Sequence, residues 1–165
     1  MHLPNQKWLS LEEAITARDA LTKSNQTMVM TNGCFDLLHV GHISYLEASK
    51  KLGDQLWVLI NSDESVRALK GPTRPIESEA ERAYCLAALS CVDRIVVFNN
   101  PRLIKEIEML HPDIYTKAGD YTLDTLHQGE RAAFEAVGTQ IQFLPFLEGF
   151  STTKMIEKIN KACSI

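Results

Sequence analysis

The chain has 165 residues, of which 45% are hydrophobic and 23% are charged, and its formal net charge is −4. This composition is typical of one ordinary globular domain and excludes disordered, collagen-like and disulfide-stapled proteins. The negative net charge disfavours a broad cationic surface, so we expect no nucleic-acid partner and a local site for any anionic ligand.

The first predicted element is a helix, marked by the capping-box pattern Ser10-Leu11-Glu12-Glu13 and by apolar residues at helical spacing as far as Leu21. Beyond it, apolar runs typical of strands alternate with helically periodic segments to the end of the chain. The five predicted strands are residues 27–31, 55–60, 94–98, 114–116 and 140–144. The predicted helices after the first are residues 40–52, 65–70, 77–89, 101–110, 126–137 and 152–159.

This alternation predicts an α/β fold with a Rossmann-like, doubly wound, parallel five-stranded sheet and helices on both faces. Residues 1–26 are expected to form an N-terminal helical extension, and residues 27–165 the main domain. Sheets of this kind bind ligands beyond the carboxyl ends of their strands, at the point where the strand order reverses. The residues directly after the first predicted strand should therefore contribute to a site.

Other features of the sequence suggest a cytoplasmic protein without a metal site. The four cysteines form no CxxC pair and have no histidine spacing typical of zinc, which fits a reducing compartment. The first residues lack the pattern of a signal peptide, and no apolar run approaches the ~20 residues that span a bilayer, so we expect no membrane partner. His2, His111 and His127 have no surrounding residues that indicate a role.

The most informative stretch is Asn32-Gly33-Cys34-Phe35-Asp36-Leu37-Leu38-His39-Val40-Gly41-His42. His39 and His42 are three positions apart at a predicted helix start, which places both imidazoles on one face, and Gly41 lets a ligand approach the backbone. The helix N-terminus adds unpaired N–H groups and partial positive charge. The stretch lacks a GxGxxG pattern, so it predicts a polyphosphate site rather than a dinucleotide site.

His39-Val40-Gly41-His42 resembles the HxGH motif of the nucleotidyltransferase superfamily, which includes cytidylyltransferases and pantetheine-phosphate adenylyltransferases. The resemblance covers residues 27–159. Further blocks stand in the superfamily's order, namely Asn61-Ser62-Asp63, Leu69-Lys70-Gly71, Gly119-Asp120-Tyr121 and Ser151-Thr152-Thr153. Within the superfamily, the chain is most similar to the adenylyltransferase module of ADP-heptose synthesis, in its stand-alone form.

The resemblance implies in-line attack by a sugar or alcohol phosphate on the α-phosphorus of a nucleoside triphosphate, with Mg²⁺ carried by the nucleotide and a homodimeric assembly. His39 and His42 would stabilise the developing charge, and Lys70 would reach the phosphates from a loop. Gly33, Cys34, Phe35, Asp36, Gly41, Arg82, Gly119, Asp120, Phe150, Ser151, Thr152 and Thr153 would bind the nucleotide.

Several of these residues have a second interpretation. Arg82 is either a second cation for the phosphates or one half of a surface ion pair with Glu79. Asp120 either accepts hydrogen bonds from the ribose hydroxyls or serves a turn, and Ser151 caps a helix whether or not an anion binds there. Asp36 would orient the site or the magnesium complex.

One departure from the family bears on the nucleotide. Phe146 stands where cytidylyltransferases of this fold commonly have an arginine, which favours ATP over CTP because arginine is hard to replace at bidentate sites. The leading hypothesis is therefore transfer of AMP from ATP to D-glycero-β-D-manno-heptose 1-phosphate. The alternatives are a cytidylyltransferase acting on glycerol 3-phosphate or a similar alcohol phosphate, and a non-catalytic nucleotide-binding subunit. The acceptor pocket is expected in the loops at 72–76 and 121–127.

Overall fold

The computed structural model describes residues 6–119, 121–145, 147 and 149–163. Strands and helices alternate along this part of the chain, as the sequence predicts, apart from two successive helices at residues 63–70 and 79–87. The strands are β1 Trp8–Leu9, β2 Met28–Gly33, β3 Gln55–Asn61, β4 Arg94–Phe98, β5 Ile114–Ala118 and β6 Gln140–Leu144. The helices are α1 Leu11–Lys23, α2 Val40–Lys50, α3 Asp63–Lys70, α4 Glu79–Ala87, α5 Ile104–Leu110, α6 Gln128–Val137 and α7 Thr152–Cys163.

The strands form one sheet in the order β1-β4-β3-β2-β5-β6, and every pairing is parallel. The chain begins the main sheet at its centre with β2, builds outward through β3 and β4, and then crosses to the other side of β2 to add β5 and β6. The strand order therefore reverses between β2 and β5, which creates a switch point at their carboxyl ends.

The expected five-stranded sheet is wrong in strand number, because β1 adds a sixth strand. Trp8 pairs with Ile95 and Leu9 with Val96, so residues before the first helix extend the sheet at its β4 edge. A strand of two residues is too short for an alternating pattern to reveal it.

The sheet is covered on both faces, which confirms the doubly wound prediction. One apolar cluster joins α1, α5 and α6 to the sheet and includes the fully buried Trp57 and Phe134. The opposite cluster joins α2 and α4 to the other face and includes Leu46 and Leu86. Alternate residues of β3 enter opposite clusters, as the period of a strand buried on both faces requires.

Serine caps set where several helices begin. Ser10 and Glu13 form the predicted capping box of α1, and Ser78 and Glu81 form a second box at α4. Ser62 caps α3 by accepting from the N–H of Ser65. Because these side chains satisfy N–H groups that have no partner inside the helix, α3 and α4 start at the residues that follow the caps.

Candidate active site

The carboxyl ends of β2 and β5 form the floor of the candidate site. Asn32 and Gly33 end β2, and Lys117 and Ala118 end β5. The side chain of Asn32 bridges the two strands, since its Oδ1 accepts from the Tyr115 hydroxyl at 2.6 Å and from Lys117 Nζ at 2.9 Å. The predicted site thus lies at the switch point of the sheet.

The loop that follows β2 has an unusual backbone. Phe35 and Leu37 have positive φ angles of 49° and 56°, in the left-handed region that side chains with a Cβ seldom adopt. A Cβ at Gly33 would lie 3.0 Å from the ring of Phe35, so a glycine there lets that ring fold back over the strand end. Strained conformations of this kind persist only where surrounding contacts fix them.

Asp36, between Phe35 and Leu37, makes contacts that fix the conformation of this loop. Its carboxylate is 1% exposed and accepts from Arg74 Nε at 2.7 Å and from the N–H groups of Ile76 and Glu77. Burial alone would raise the pKa of Asp36, but the hydrogen bonds from Glu77, Ile76 and Arg74 outweigh it and hold the pKa below its usual value. Asp36 therefore anchors the loop after β2 to the loop before α4.

Arg82 is a second anchor of the same loop. It is fully buried, and its guanidinium donates to the carbonyl oxygens of Glu77 (3.1 Å) and Cys34 (2.6 Å) and to Asp63 Oδ1 (2.8 Å). The expected role as a second phosphate-binding cation is not supported, because the group is already engaged with the protein. The alternative, a surface pair with Glu79, is wrong, since the ion pair of Arg82 is buried and joins Asp63.

The two histidines meet at the start of α2. His39 is the N-cap residue, and its Nδ1 accepts from the N–H of His42 at 3.4 Å. The imidazole rings stack with centroids 3.8 Å apart and an interplanar angle of 20°, and the Phe35 ring lies 5.2 Å from His42 on a tilted plane. The expected placement of both imidazoles on one face of the helix start is confirmed.

The environment of the pair disfavours positive charge. Burial lowers the pKa of His42 to about 4, with further contributions from His39 and Lys70, while the carboxylate of Asp36 opposes the shift. Burial also lowers the pKa of His39. Both rings are thus neutral near pH 7 in the free protein and offer N–H donors rather than cations. Nδ1 of His42 is buried and has no hydrogen-bond partner among the described residues.

Buried hydroxyl groups hold α2 against the sheet beneath this pair. The Tyr45 hydroxyl lies 2.7 Å from Thr31 Oγ1 on β2 and 3.0 Å from Thr116 Oγ1 on β5, and Ser49 Oγ lies 3.0 Å from the same Thr116 oxygen. Because these polar groups satisfy one another in a buried layer, they fix the position of the helix that carries the histidines.

Two cavities flank the histidine pair. The first, of about 210 Å³, lies over the strand ends and is lined by His42, Lys70 and Lys117 among others. The second, also of about 210 Å³, is lined by His39, by Phe150 and Ser151 just before α7, and by the first turns of α7. Since the two rings stack, the histidine pair forms the wall between the cavities.

The start of α7 closes the site from the other side. Thr152 lines the first cavity, and its Oγ1 donates to the backbone oxygen of Asp36 at 2.8 Å, which ties α7 to the loop after β2. Ser151 Oγ accepts from the N–H of Lys154 at 3.2 Å, so the predicted helix cap is confirmed. Thr153 is exposed on the same turn.

The structure brings most of the predicted site residues together. Those that line the first cavity are Gly33, Cys34, Phe35, Asp36, His42, Lys70 and Thr152. Those that line the second are His39, Phe150 and Ser151. Gly41 is buried in the first turn of α2, and Gly119 follows β5 with a φ of 95°. The predictions at Asp120 and Phe146 lie outside the described residues.

Lys117 is a site residue that the sequence reasoning missed. Burial lowers its pKa, its Nζ lies 5.3 Å from the centre of the Tyr121 ring, and its side chain lines the first cavity. A lysine that ends a strand carries no local signal of function. Its importance follows only from the sheet order, which places β5 beside β2.

The described residues offer a poor fit to a protein-held metal ion. They include no group of three histidine, cysteine or carboxylate side chains close enough to bind one. Asp36, which is expected to orient either the site or the magnesium complex, has both carboxylate oxygens engaged by Arg74 and by backbone N–H groups. Within the same part of the chain, no helix is long and apolar enough to cross a membrane.

Comparison with known proteins agrees with this geometry. Residues 30–158 match the family described as Cytidylyltransferase-like. The chain belongs to the cytidylyltransferase-like family. It is therefore a nucleotidyltransferase, and the motif at His39 to His42 lies inside the matched region.

The relatives of this cytidylyltransferase-like chain include both sequences and solved structures. It is 48% identical over 137 residues to the Bifunctional protein HldE of Syntrophotalea carbinolica, covering 83% of this chain but only 28% of that protein. A crystal structure of the lipopolysaccharide core biosynthesis protein from Thermoplasma volcanium is 32% identical, with a TM-score of 0.60, and covers 74% of this chain and 97% of that one.

A more distant structure shows the fold alone. The pantoate-beta-alanine ligase of Francisella tularensis is 17% identical with a TM-score of 0.59, over 97% of this chain and 78% of that one. The shared sheet confirms the Rossmann-like prediction.

Proposed function

We propose that this protein transfers AMP from ATP to D-glycero-β-D-manno-heptose 1-phosphate, giving ADP-heptose and pyrophosphate. The observation that carries the proposal is the stacked pair His39 and His42 at the start of α2, between two cavities at the switch point of the sheet. Sequence similarity to the Bifunctional protein HldE and to a lipopolysaccharide core biosynthesis protein supports a heptose phosphate as the acceptor.

The reaction requires positioning more than acid–base chemistry. An ionised oxygen of the sugar phosphate attacks the α-phosphorus of ATP, a new P–O bond forms, and the bond from the α-phosphorus to the bridging oxygen breaks. The electron pair of that bond leaves with pyrophosphate. Because the attacking phosphate oxygen carries no proton, no general base is needed, and neutral histidines are suited to the task.

The residues around the histidine pair would bind different parts of the nucleotide. N–H donors of His39, His42 and the first turn of α2 would hold the α-phosphoryl oxygens as charge builds on them. Lys70, exposed at the end of α3 beside the first cavity, would contact the departing pyrophosphate and stabilise its charge. The nucleoside would occupy the second cavity, where Phe150 is 40% exposed and offers an apolar face.

Magnesium is proposed to enter as part of the nucleotide substrate rather than as a metal held by the protein. A divalent cation on the polyphosphate neutralises its charge and so favours departure of pyrophosphate. The homodimer implied by the family resemblance also stays a prediction, which light scattering after gel filtration would test.

The direct test is a product assay by mass spectrometry with ATP or CTP and a panel of sugar 1-phosphates and glycerol 3-phosphate. ADP-heptose should form, and kcat/KM should favour ATP over CTP by about tenfold or more, because a base that leaves a buried polar group unpaired loses ~1–3 kcal/mol. A CTP preference would replace the adenylyl assignment with the cytidylyl alternative. Binding of nucleotide without any product would favour the non-catalytic alternative.

Variants test the histidine pair itself. His39→Ala and His42→Ala should each lower kcat by about a hundredfold or more, the usual loss when one preorganised donor is removed. His111→Asn is the matched control, since His111 ends α5 with a φ of 43° that asparagine tolerates. Wild-type turnover in both folded alanine variants would contradict the assigned role.

A further inference from the structure

A third cavity, the largest of those around the switch point at about 310 Å³, adjoins the first. The two share Asn32, Gly33, Cys34, Lys70 and Lys117, so the strand end of β2 and both lysines face into each of them. Its volume lies at the lower end of the ~300–1,000 Å³ typical of small-molecule sites. A ligand here would lie directly beside phosphates held in the first cavity.

Basic side chains converge on this cavity from four elements. Lys70 ends α3, Lys117 ends β5, Arg102 follows β4, and His127 precedes α6. Among the residues that the structure describes, no ion pair joins Lys70, Arg102 or Lys117 to a carboxylate. Lys117 donates to Asn32, but a neutral amide does not cancel its charge. Grouped cations that no ion pair neutralises repel one another, so a bound anion would be favoured there.

The one carboxylate in the cavity wall is already engaged. Glu130 is mostly buried, and its Oε1 accepts from the N–H of Leu103 at 3.1 Å. His127 is oriented as well, because its Nδ1 accepts from the N–H of Gly129 at 3.2 Å. Because Nδ1 accepts, Nε2 is the ring nitrogen that can donate a hydrogen bond to a ligand.

The rest of the wall suits a polyol rather than a bare ion. Asn61 and Thr125 place an amide and a hydroxyl group in the wall, which also bond to Ser65 and to the backbone of Thr122. Leu69 and Tyr121, which line the same cavity, are 49% and 45% exposed. Polar groups that fix orientation, next to apolar side chains that cover a ring, are the usual composition of a site for a small organic ligand.

We infer that the third cavity is the acceptor subsite, in which Arg102, His127 and Lys117 bind the phosphate of a sugar phosphate beside the α-phosphorus of the nucleotide. The inference rests on the proposed function for its identification of the acceptor. It gives specificity-determining roles to Arg102 and His127, neither of which carries a sequence signal of function. Of the two loops expected at the acceptor pocket, the loop at 121–127 lines this cavity and the loop at 72–76 does not.

Steady-state kinetics with the variants Arg102→Gln and His127→Gln test the subsite. Each should raise the KM for heptose 1-phosphate about tenfold while the KM for ATP stays within about twofold, because the side chains contact only the acceptor. Arg131→Gln is the matched control, because Arg131 is a half-buried arginine within α6 that pairs with Asp124 and Glu135 and does not line the cavity. The control should leave both KM values unchanged.

An unchanged acceptor KM in both cavity variants, or a parallel rise in the KM for ATP, would overturn the subsite. Calorimetric titration with heptose 1-phosphate separates this failure from failure of the proposed function. If the wild type makes no ADP-heptose but binds the sugar phosphate, and Arg102→Gln weakens that binding about tenfold, the subsite stands without the reaction. If the wild type does not bind the sugar phosphate, the subsite is refuted.

Discussion

Replacing His42 by glutamine should remove a pH dependence from the stability of the protein. The unfolded chain takes up a proton on His42 near the usual pKa of 6.5, whereas the folded protein takes it up only near 4, because the ring is buried beside His39 and Lys70. Below pH 6.5 the unfolded state therefore binds more protons than the folded state. The free energy of unfolding falls as the pH falls, until both states are protonated below about pH 4.

The size of this effect follows from the two pKa values. Between about pH 7.5 and about pH 5, the linkage relation gives a loss of about 2 kcal/mol from this one imidazole. Glutamine keeps polar hydrogen-bonding capacity but does not titrate. The variant should therefore lose about 2 kcal/mol less than the wild type over the same interval, whatever its stability at pH 7.5.

Urea denaturation at the two pH values measures the difference. Each protein serves as its own reference, and equal m-values would show that the substitution has not changed the compactness of either state. If the wild type and His42→Gln lose the same unfolding free energy between the two pH values, the imidazole is not kept neutral by the fold. The proposed role of His42 as a neutral donor at pH 7 would then fail with it.

Three further variants test other parts of the site. Arg82→Met should lower the free energy of unfolding, measured by urea denaturation, by about 3 kcal/mol, because it leaves Asp63 and buried carbonyl groups unpaired. A variant as stable as the wild type would refute the anchoring role of Arg82. Lys70→Ala should lower kcat while leaving Tm nearly unchanged, since the side chain is exposed; a fall in Tm equal to that of Arg82→Met would contradict this. Thr152→Val should cost about 1 kcal/mol through the lost hydrogen bond to the backbone of Asp36, and unchanged stability would show that this bond does not hold α7 in place.

Local patterns sufficed to predict most of the elements. Strands buried on both faces read as continuous apolar runs, and the capping box at Ser10 marked the start of α1. The segment at His39 to His42 could be assigned to a helix start because glycine, histidine spacing and strand end are adjacent in sequence. Such signals reach only a few residues along the chain.

The missed features depend on contacts between distant segments. The pairing of Arg82 with Asp63 was not foreseen, because the sequence pattern pointed to Glu79 one helical turn away. Lys117 and His127 become site residues only once β5 is placed beside β2 and α6 is packed behind it. The periodicity of the sequence does not show which of these distant segments lie side by side.

The short strand β1 also bears on how the molecule assembles. Trp8 and Leu9 are synthesised well before their partners Ile95 and Val96, so this edge of the sheet can form only after β4 is in place. Pairings between such distant residues slow folding and leave hydrophobic segments exposed for longer. Once formed, the strand covers N–H and C=O groups of β4 that would otherwise invite another chain to add a strand. Mutations at Trp8 would therefore first show as aggregation rather than as lost catalysis.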